Sequence, residues 1–311
     1  MEIKKLSYDV MFKAVFMREK KILLKMIKDI LDIKEDISIE TVEIMPGYEV
    51  EPLSQNKRTF KTDLLIKLND DTYVNLEINR RSNDDILYRN VLQLSRIYSQ
   101  VINEGSDLVE ISKKILRELN FNTFKTYSGK PVENIALCEV ESGKVINMLF
   151  NICNIDIELS RNIMYNKNIE KENRAIKWGA LLDSDSTSDI DRIIGKDILS
   201  MEEKESLINT IKEVNNDKKI LQEWMLEENA RLSFEGEINT ARREGIEEGK
   251  KELIISMLKK KMDYETISDI TGKSTLRNKR NRKGNKIIIK YNQTNFLLKK
   301  YCQKNKNMLE L

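Results

Sequence analysis

The 311-residue chain is almost electrically balanced, with 54 Lys and Arg against 51 Asp and Glu, and 40% of its residues are hydrophobic. It is long enough to bury a sizeable core in more than one domain, but no apolar run is long enough to span a bilayer. It contains no histidine, which excludes Ser-His-Asp triads, Cys-His dyads and imidazole metal ligands.

The amino-terminal and cysteine patterns indicate a cytoplasmic protein. The first residues, MEIKKLSYDV, lack the apolar region of a signal peptide. Cys138, Cys153 and Cys302 are widely spaced and form no CxxC pair, which argues against a disulfide framework and against thiolate zinc sites. The chain also lacks GxxxxGKS/T and GxGxxG motifs, so no phosphate-cradling loop is predicted.

Two helices and a strand are predicted at the start of the chain. Ser7 is the predicted N-cap of a helix that begins at Tyr8. Apolar residues at helical spacing predict a second helix that includes Leu23 to Leu31. Residues 37–50 predict the first strand.

Residues 62–80, TDLLIKLNDDTYVNLEINR, predict a β-hairpin. Two runs alternate apolar and polar residues with period two, and the letters NDD between them are typical of a turn. A three-residue loop pairs Leu64 with Leu76 and places Asp63 opposite Glu77 on the polar face. Register is well specified here, because a slip of one residue would turn the apolar set to the wrong side.

Asp63 and Glu77 are the first candidate functional residues. Directly paired strand residues have Cβ atoms roughly 4.5–5.5 Å apart, so two carboxylates there repel unless something neutralises them or they face water. Hard carboxylate oxygens suit Mg²⁺ or Mn²⁺, completed by waters and substrate phosphate. The alternative is an ordinary solvent-exposed strand face that carries two acids, and the residues alone leave both interpretations open.

The middle of the chain mixes helical and strand signals. Residues 84–105 predict a helix, capped by Asn83 or Asp84 and ended by Gly105, whose Arg89 either contacts phosphate or forms a surface salt bridge. The segment LVEISKKILRELN, residues 108–120, predicts a charged amphipathic helix, and only NFNTF, residues 120–124, is typical of a strand. PVENIALCEV, residues 131–140, predicts a late strand.

From Ile169 onward nearly every run has helical period. Ser200 and Glu203 form a predicted capping box at the start of one helix, and a long helix is predicted from Glu235 to Lys261. Asp263 is the predicted cap of a short helix that ends at Gly272.

A basic tail closes the chain. Residues 275–311 contain eleven Lys or Arg against one acid, a net charge of +10, which leaves −7 for residues 1–274 because the whole chain carries +3. Such a tail binds nucleic acid nonspecifically through counterion release, or is simply disordered.

Asp63, Glu77 and Asn79 resemble the motif of the PD-(D/E)XK nuclease superfamily. In that motif an Asp is followed, about a hairpin later, by a Glu, any residue and a polar residue. The resemblance implies that Asp63 and Glu77 hold a metal and that Asn79 stands where the family's Lys or Gln handles the attacking water. An amide orients a water but supplies no positive charge. The hairpin register places Lys61 opposite Asn79, so Lys61 is the candidate source of that charge; the alternative is a solvated strand lysine.

The opening SYDVMFKAVF resembles the D-x-x-FK motif of the Rpn family of recombination-promoting nucleases or putative transposases, and Asp9, Phe12 and Lys13 match it. In related nucleases an acid on the first helix completes the metal site, so Asp9 is a candidate third ligand; alternatively it only favours the helix dipole. The small residues spaced four apart in residues 235–261 resemble the family's C-terminal helix and imply a packing or self-association surface, against the alternative of a solvated charged helix.

The resemblance implies an α/β fold, a PD-(D/E)XK restriction-endonuclease-like core with an αβββαβ mixed sheet in residues 1–165. An all-helical region, 166–274, and a tail expected to be disordered, 275–311, would follow. The implied function is that of an Mg²⁺- or Mn²⁺-dependent DNA endonuclease linked to recombination or mobile elements, with DNA as partner and the C-terminal helices as a homo-oligomer contact. The alternative is a catalytically inactive nuclease-like protein that binds DNA or a partner protein.

Overall fold

A computed structural model describes residues 1–33, 43–46, 49–50, 60–68, 72–80, 86–101, 107, 115–166, 173–195 and 197–271. The chain divides into two compact units, one from Met1 to Ala230 and one that begins at Arg231. None of the helices in these described ranges combines the length and apolarity that a bilayer crossing requires.

The helices and strands alternate in the first half, and helices alone follow. The helices are α1 Asp9–Phe16, α2 Lys20–Leu31, α3 Ile86–Val101, α4 Ile157–Asn166, α5 Arg174–Leu182, α6 Thr187–Ile193, α7 Met201–Asn216, α8 Lys218–Lys259 and α9 Tyr264–Thr271. The strands are β1 Glu43–Pro46, β2 Glu49–Val50, β3 Phe60–Lys61, β4 Leu64–Lys67, β5 Tyr73–Asn79, β6 Leu116–Asn122, β7 Val132–Cys138 and β8 Val145–Asp156.

The main sheet is mixed, as predicted. Its strand order is β1-β4-β5-β6-β8-β7. Strand β4 runs antiparallel to its neighbours β1 and β5, β6 and β8 run parallel to β5, and β7 returns antiparallel at the edge. Helix, three antiparallel strands, helix and parallel strand is the αβββαβ order that the family resemblance implies. A separate pair is formed by β2 and β3.

The hairpin register is confirmed. Leu64 pairs with Leu76 and Ile66 with Val74, and the Leu68 backbone N–H donates to the Thr72 carbonyl across the loop at 2.8 Å. The apolar set therefore lies on one sheet face and the polar set on the other. The turn residues, 69–71, lie outside the described residues.

The apolar sheet face and the helices form one core. The sheet contributes nine buried residues to it: Leu64, Ile66, Val74, Leu76, Ile78, Leu119, Phe121, Cys153 and Ile155. Phe12 of α1 is completely buried and lies 4.5 Å from Phe16 and 6.3 Å from Phe121, centroid to centroid. Truncating such a phenylalanine to alanine typically costs about 3–5 kcal/mol. This packing fixes α1 against the sheet.

The opposite sheet face packs against α3. Leu94 and Ile97 of that helix cluster with three buried sheet residues, Leu65, Leu116 and Ile152. The same face carries Glu77, Asn79, Glu118, Asn120 and Asn154, all buried. Helix α3 therefore covers a sheet face that is apolar at one end and polar at the other.

Two local predictions in the first half of the chain are wrong. Helix α1 begins at Asp9 with Tyr8 as N-cap and has no side-chain cap of its own, so Ser7 does not cap it. Residues 116–120 are strand β6 and not helix, because β5 and β8 supply backbone partners on both sides of them. Residues 108–114 lie outside the described residues.

The other element predictions fare better. Residues 131–140 contain β7 as predicted, whereas β8 was not predicted. The capping box of Ser200 and Glu203 is confirmed, with both reciprocal hydrogen bonds present. Asp263 caps α9 by accepting from the Thr266 backbone N–H at 2.9 Å.

The predicted long helix is present but begins earlier, at Lys218. Residues 81–85, 102–106 and 272–311, which include the predicted caps of α3, both predicted helix ends and the basic tail, lie outside the described residues. The predicted domain boundaries at 165 and 274 stay predictions.

Candidate active site

Asp63 and Glu77 lie side by side at the base of the hairpin. Asp63 directly precedes β4, and its backbone N–H donates to Glu77 Oε1 at 3.3 Å. The Ile78 backbone N–H donates to Asp63 Oδ2 at 2.8 Å. The Glu77 side chain is only 5% exposed and that of Asp63 21%, so the alternative of two acids on an open, solvated strand face is wrong.

Burial makes this acid pair electrostatically unusual. Loss of hydration, followed by repulsion from Asp63, raises the pKa of Glu77 to about 8. Burial, followed by the charge of Asp9, also raises the pKa of Asp63 above its ordinary value, although the Ile78 N–H and Lys13 oppose the shift. The pair therefore holds both negative charges at neutral pH only at a cost in free energy, which a bound cation would remove.

Helix α1 brings a lysine to the pair. Lys13 Nζ lies 2.7 Å from Asp9 Oδ1, one helical turn earlier, and 3.4 Å from Asp63 Oδ1. The two aspartates thus share one ammonium. Asp9 reaches the vicinity of Asp63, as the metal-ligand prediction requires, but its nearest partner is Lys13 and not Glu77.

Helix α3 supports Glu77 from the other side. Gln93 Nε2 donates to Glu77 Oε1 at 2.8 Å, and Arg89 Nη2 lies 3.7 Å from Glu77 Oε2. Arg89 and Gln93 are four residues apart on one face of the helix. Arg89 forms a salt bridge, but its partner is the buried site acid Glu77 and not the predicted surface acid. The predicted contact of Arg89 with phosphate stays a prediction.

Asn79 belongs to a row of hydrogen-bonded side chains. Its Nδ2 donates to Asn120 Oδ1 at 3.2 Å and to Asn122 Oδ1 at 3.1 Å. Asn120 Nδ2 in turn donates to Glu118 Oε1 and Asn154 Oδ1. Because an amide nitrogen carries two hydrogens, both donors of Asn79 are engaged and only its oxygen is left to receive a water hydrogen.

The predicted pairing of Lys61 with Asn79 is wrong. The hairpin ladder stops at Leu64, the chain bends at Asp63, and Lys61 pairs instead with Glu49 in the β2–β3 pair. The side chain of Lys61 lies outside the described residues. Its predicted catalytic role is therefore untested.

The acid pair fits a divalent cation. Two adjacent carboxylates with raised pKa values offer hard oxygens to Mg²⁺, which is typically bound through one or two carboxylates plus substrate phosphate and water. Within the described residues no group of three or more Asp, Glu or Cys side chains is arranged to hold a metal. The candidate site is thus a two-carboxylate site, with Asp9 beside it.

Sequence reasoning missed several of these neighbours. Gln93, Glu118 and Asn120 were not singled out, and Lys13 was matched to a motif but given no role. In LRELNFN the polar residues Glu118 and Asn120 alternate with apolar Leu119, a period-two signal that predicts a strand and its polar face. The helical appearance of the preceding residues concealed it.

Comparison with known proteins agrees with this geometry. No similar protein was found among curated proteins or among solved structures. A family model described as PD-(D/E)XK nuclease family transposase matches residues 6–241, which include Asp9, Asp63, Glu77 and the whole main sheet. The match covers about three quarters of the chain, and the chain therefore belongs to the PD-(D/E)XK nuclease family transposases.

Proposed function

We propose that this protein is a metal-dependent DNA endonuclease that hydrolyses phosphodiester bonds, in a process linked to recombination or mobile elements. The observation that carries the proposal is the buried Asp63–Glu77 pair at the base of the hairpin, with cations from α1 and α3 beside it. Family membership supports a nuclease- or transposase-related function.

In this proposal Asp63 and Glu77 hold Mg²⁺ or Mn²⁺, with Asp9 as the third candidate ligand. When bound, the cation would lower the pKa of a water and neutralise charge on the phosphate oxygens. The chain keeps the two carboxylates in place through the Ile78 N–H on Asp63 and through Gln93 and the Asp63 N–H on Glu77.

Asn79 and Lys61 are assigned to the attacking water. Asn79 would accept a hydrogen of that water through Oδ1, since both its N–H groups donate to other side chains. Lys61 would supply positive charge from the chain just before the bend. Arg89, whose side chain is 40% exposed, is suited to contact the DNA backbone.

The experiment is plasmid nicking with Mg²⁺ or with EDTA, comparing the wild type with Asp63→Asn and Glu77→Gln. Both substitutions keep the shape of the side chain but replace its carboxylate by a neutral amide. We therefore expect cleavage to fall to background and DNA affinity to persist. Glu202→Gln, at an exposed position on α7, is the matched control. Equal Mg²⁺-dependent nicking by the wild type and both variants would refute the proposal.

An inactive nuclease-like protein that binds DNA or a partner protein is the second candidate. It is favoured by Asn79, which supplies no charge and has both donors engaged. Absence of Mg²⁺-dependent nicking in the wild type, together with salt-dependent DNA binding, would select it. Self-association through the C-terminal helices is a further proposal, checked by light scattering of the purified chain.

A further inference from the structure

Lys13 occupies an unusual position for a surface-helix lysine. Its ammonium lies between two carboxylates, 2.7 Å from Asp9 and 3.4 Å from Asp63, and its side chain is 26% exposed. Asp63 is one of the two acids assigned to the cation, so Lys13 already contacts a residue of the proposed cation site. It retains enough exposure to be reached by a substrate.

The backbone that carries Lys13 is held from two sides. Met11, Phe12, Val15 and Phe16 bury the apolar face of α1 in the core. At the start of the helix, where Tyr8 provides no side-chain cap, Glu227 of α8 accepts from the backbone N–H groups of Asp9 at 3.2 Å and Val10 at 3.4 Å. The helix backbone at Lys13 is therefore held in place, whereas the long side chain of Lys13 can change its conformation.

Among the residues that the structure describes, the lysine whose ammonium contacts Asp63 is Lys13. Asn79, which stands at the motif position, is neutral and donates both N–H groups to Asn120 and Asn122. Arg89 faces Glu77 rather than Asp63, and a guanidinium fork suits bidentate backbone contacts better than a single developing charge. Lys61 pairs in a different strand pair.

We propose that Lys13 is a catalytic lysine of this site, distinct from the lysine assigned to the attacking water, and that its ammonium binds a non-bridging oxygen of the scissile phosphate. The inference rests on the proposed nuclease function. A cation held by Asp63 and Glu77 weakens the attraction between Lys13 and Asp63, because both positive groups compete for the same carboxylate. In this arrangement Asp9 pairs with the ammonium, as it does in the structure, rather than with the cation. The other hydrogens of the ammonium turn to the phosphate.

The role of Lys13 in the reaction is electrostatic. The oxygen of water bonds to phosphorus, the bond from phosphorus to the leaving sugar oxygen breaks, the water loses one proton to solvent and the leaving oxygen gains one from solvent. Lys13 transfers no proton and neutralises the negative charge that accumulates on the phosphate. Removal of one such preorganised donor typically lowers the catalytic rate by about 100- to 1,000-fold.

The test compares Lys13→Met with Lys61→Met and with the control Lys21→Met, which changes an exposed lysine of α2. Methionine keeps the stem and removes the charge. In single-turnover plasmid cleavage with Mg²⁺ at saturating DNA, we expect Lys13→Met to lose about 100-fold or more, with a melting temperature and duplex affinity close to those of the wild type. Lys13→Arg should recover part of the rate, and Lys21→Met should match the wild type.

A second measurement does not depend on cleavage. The affinity of each protein is measured, with Ca²⁺ present, for one oligonucleotide that carries a 5′-phosphate, a 3′-phosphate or no terminal phosphate. The wild type should prefer one phosphorylated end by about tenfold or more, the value of a charge-assisted contact, and Lys13→Met should lose that preference.

The outcomes separate the two proposals. Wild-type cleavage that Lys61→Met abolishes and Lys13→Met leaves intact overturns the assignment of Lys13 while the nuclease stands. No wild-type cleavage, but a phosphate preference that depends on Lys13, refutes the nuclease and retains Lys13 as a phosphate ligand. A preference unaffected by Lys13→Met, with a lower melting temperature, makes Lys13 a structural counter-ion and overturns the inference.

Discussion

The substitution Glu77→Gln should change how the stability of the metal-free protein depends on pH. The pKa of Glu77 is about 8 in the folded protein, mainly because of burial, against 4.5 for an ordinary glutamate. Since the folded state binds the proton more tightly, this group stabilises the fold fully below pH 4.5, and the stabilisation is lost as pH rises toward 8. At about 1.4 kcal/mol per pH unit, Glu77 alone lowers the free energy of unfolding by about 3 kcal/mol between pH 5.5 and pH 8.

Urea denaturation in EDTA at several pH values between 5.5 and 8 measures this effect. Glutamine keeps the oxygen that accepts from Gln93 and from the Asp63 N–H but does not ionise, so the variant should have a flatter pH dependence and exceed the wild type in stability at pH 8. Added Mg²⁺ should stabilise the wild type at pH 8 and leave Glu77→Gln almost unchanged.

Glu118→Gln is the matched comparison. Glu118 is fully buried on the same sheet face, and burial raises its pKa to about 8 as well. Its substitution should also flatten the pH dependence, but the response to Mg²⁺ should persist, because Glu118 is not assigned to the cation. Parallel stability curves for the wild type and Glu77→Gln would refute the reasoning, since they would mean that Glu77 ionises equally in the folded and unfolded states.

Three further expectations follow from the described contacts and the charge distribution. Glu227→Ala should destabilise the protein by about 0.5–2 kcal/mol in urea denaturation, the usual value of a helix cap, whereas the exposed neighbour Glu223→Ala should not. Asn120→Leu should cost about 1–3 kcal/mol by leaving its former partners without their hydrogen bonds, and an unchanged unfolding midpoint would contradict the amide row. Deletion of residues 275–311, net charge +10, should reduce DNA affinity mainly at low salt, and an unchanged salt slope would exclude the tail as a DNA contact.

The hairpin could be predicted because its information is local. Alternation within β4 and β5 and a three-residue loop specify one register, and the pairing from Leu64–Leu76 to Lys67–Tyr73 follows it. Strand β6 also has a local period-two signal, but its pairing could not be found in the same way. Its partners, β5 and β8, lie about 40 and 35 residues away and run parallel to it, so its backbone partners are set by crossovers that the local sequence does not encode.

The candidate site, like the fold, could be predicted only where the information is local. The adjacency of Asp63 and Glu77 follows from the register, but the burial of Glu77 depends on α3, whose Arg89 and Gln93 reach it only after tertiary packing. The placement of Lys61 failed because the ladder was extended past Asp63, where the chain bends. Periodicity predicts which face a strand residue occupies, but not the residue at which the pairing ends.

The buried acids themselves argue for a function. The sheet face that holds Glu77 also holds Leu65, Leu116 and Ile152, which pack against α3. Because apolar side chains have no charge to desolvate, they show that this face can pack against the helix without a charged side chain. Repulsion between Asp63 and Glu77 lowers stability at neutral pH, and an apolar residue at position 77 would avoid it. The chain nevertheless supplies Glu77 with an amide from Gln93, a backbone N–H from Asp63 and a guanidinium from Arg89. A carboxylate that is oriented on three sides and still repelled by its neighbour is what a cation-binding site requires before its cation arrives.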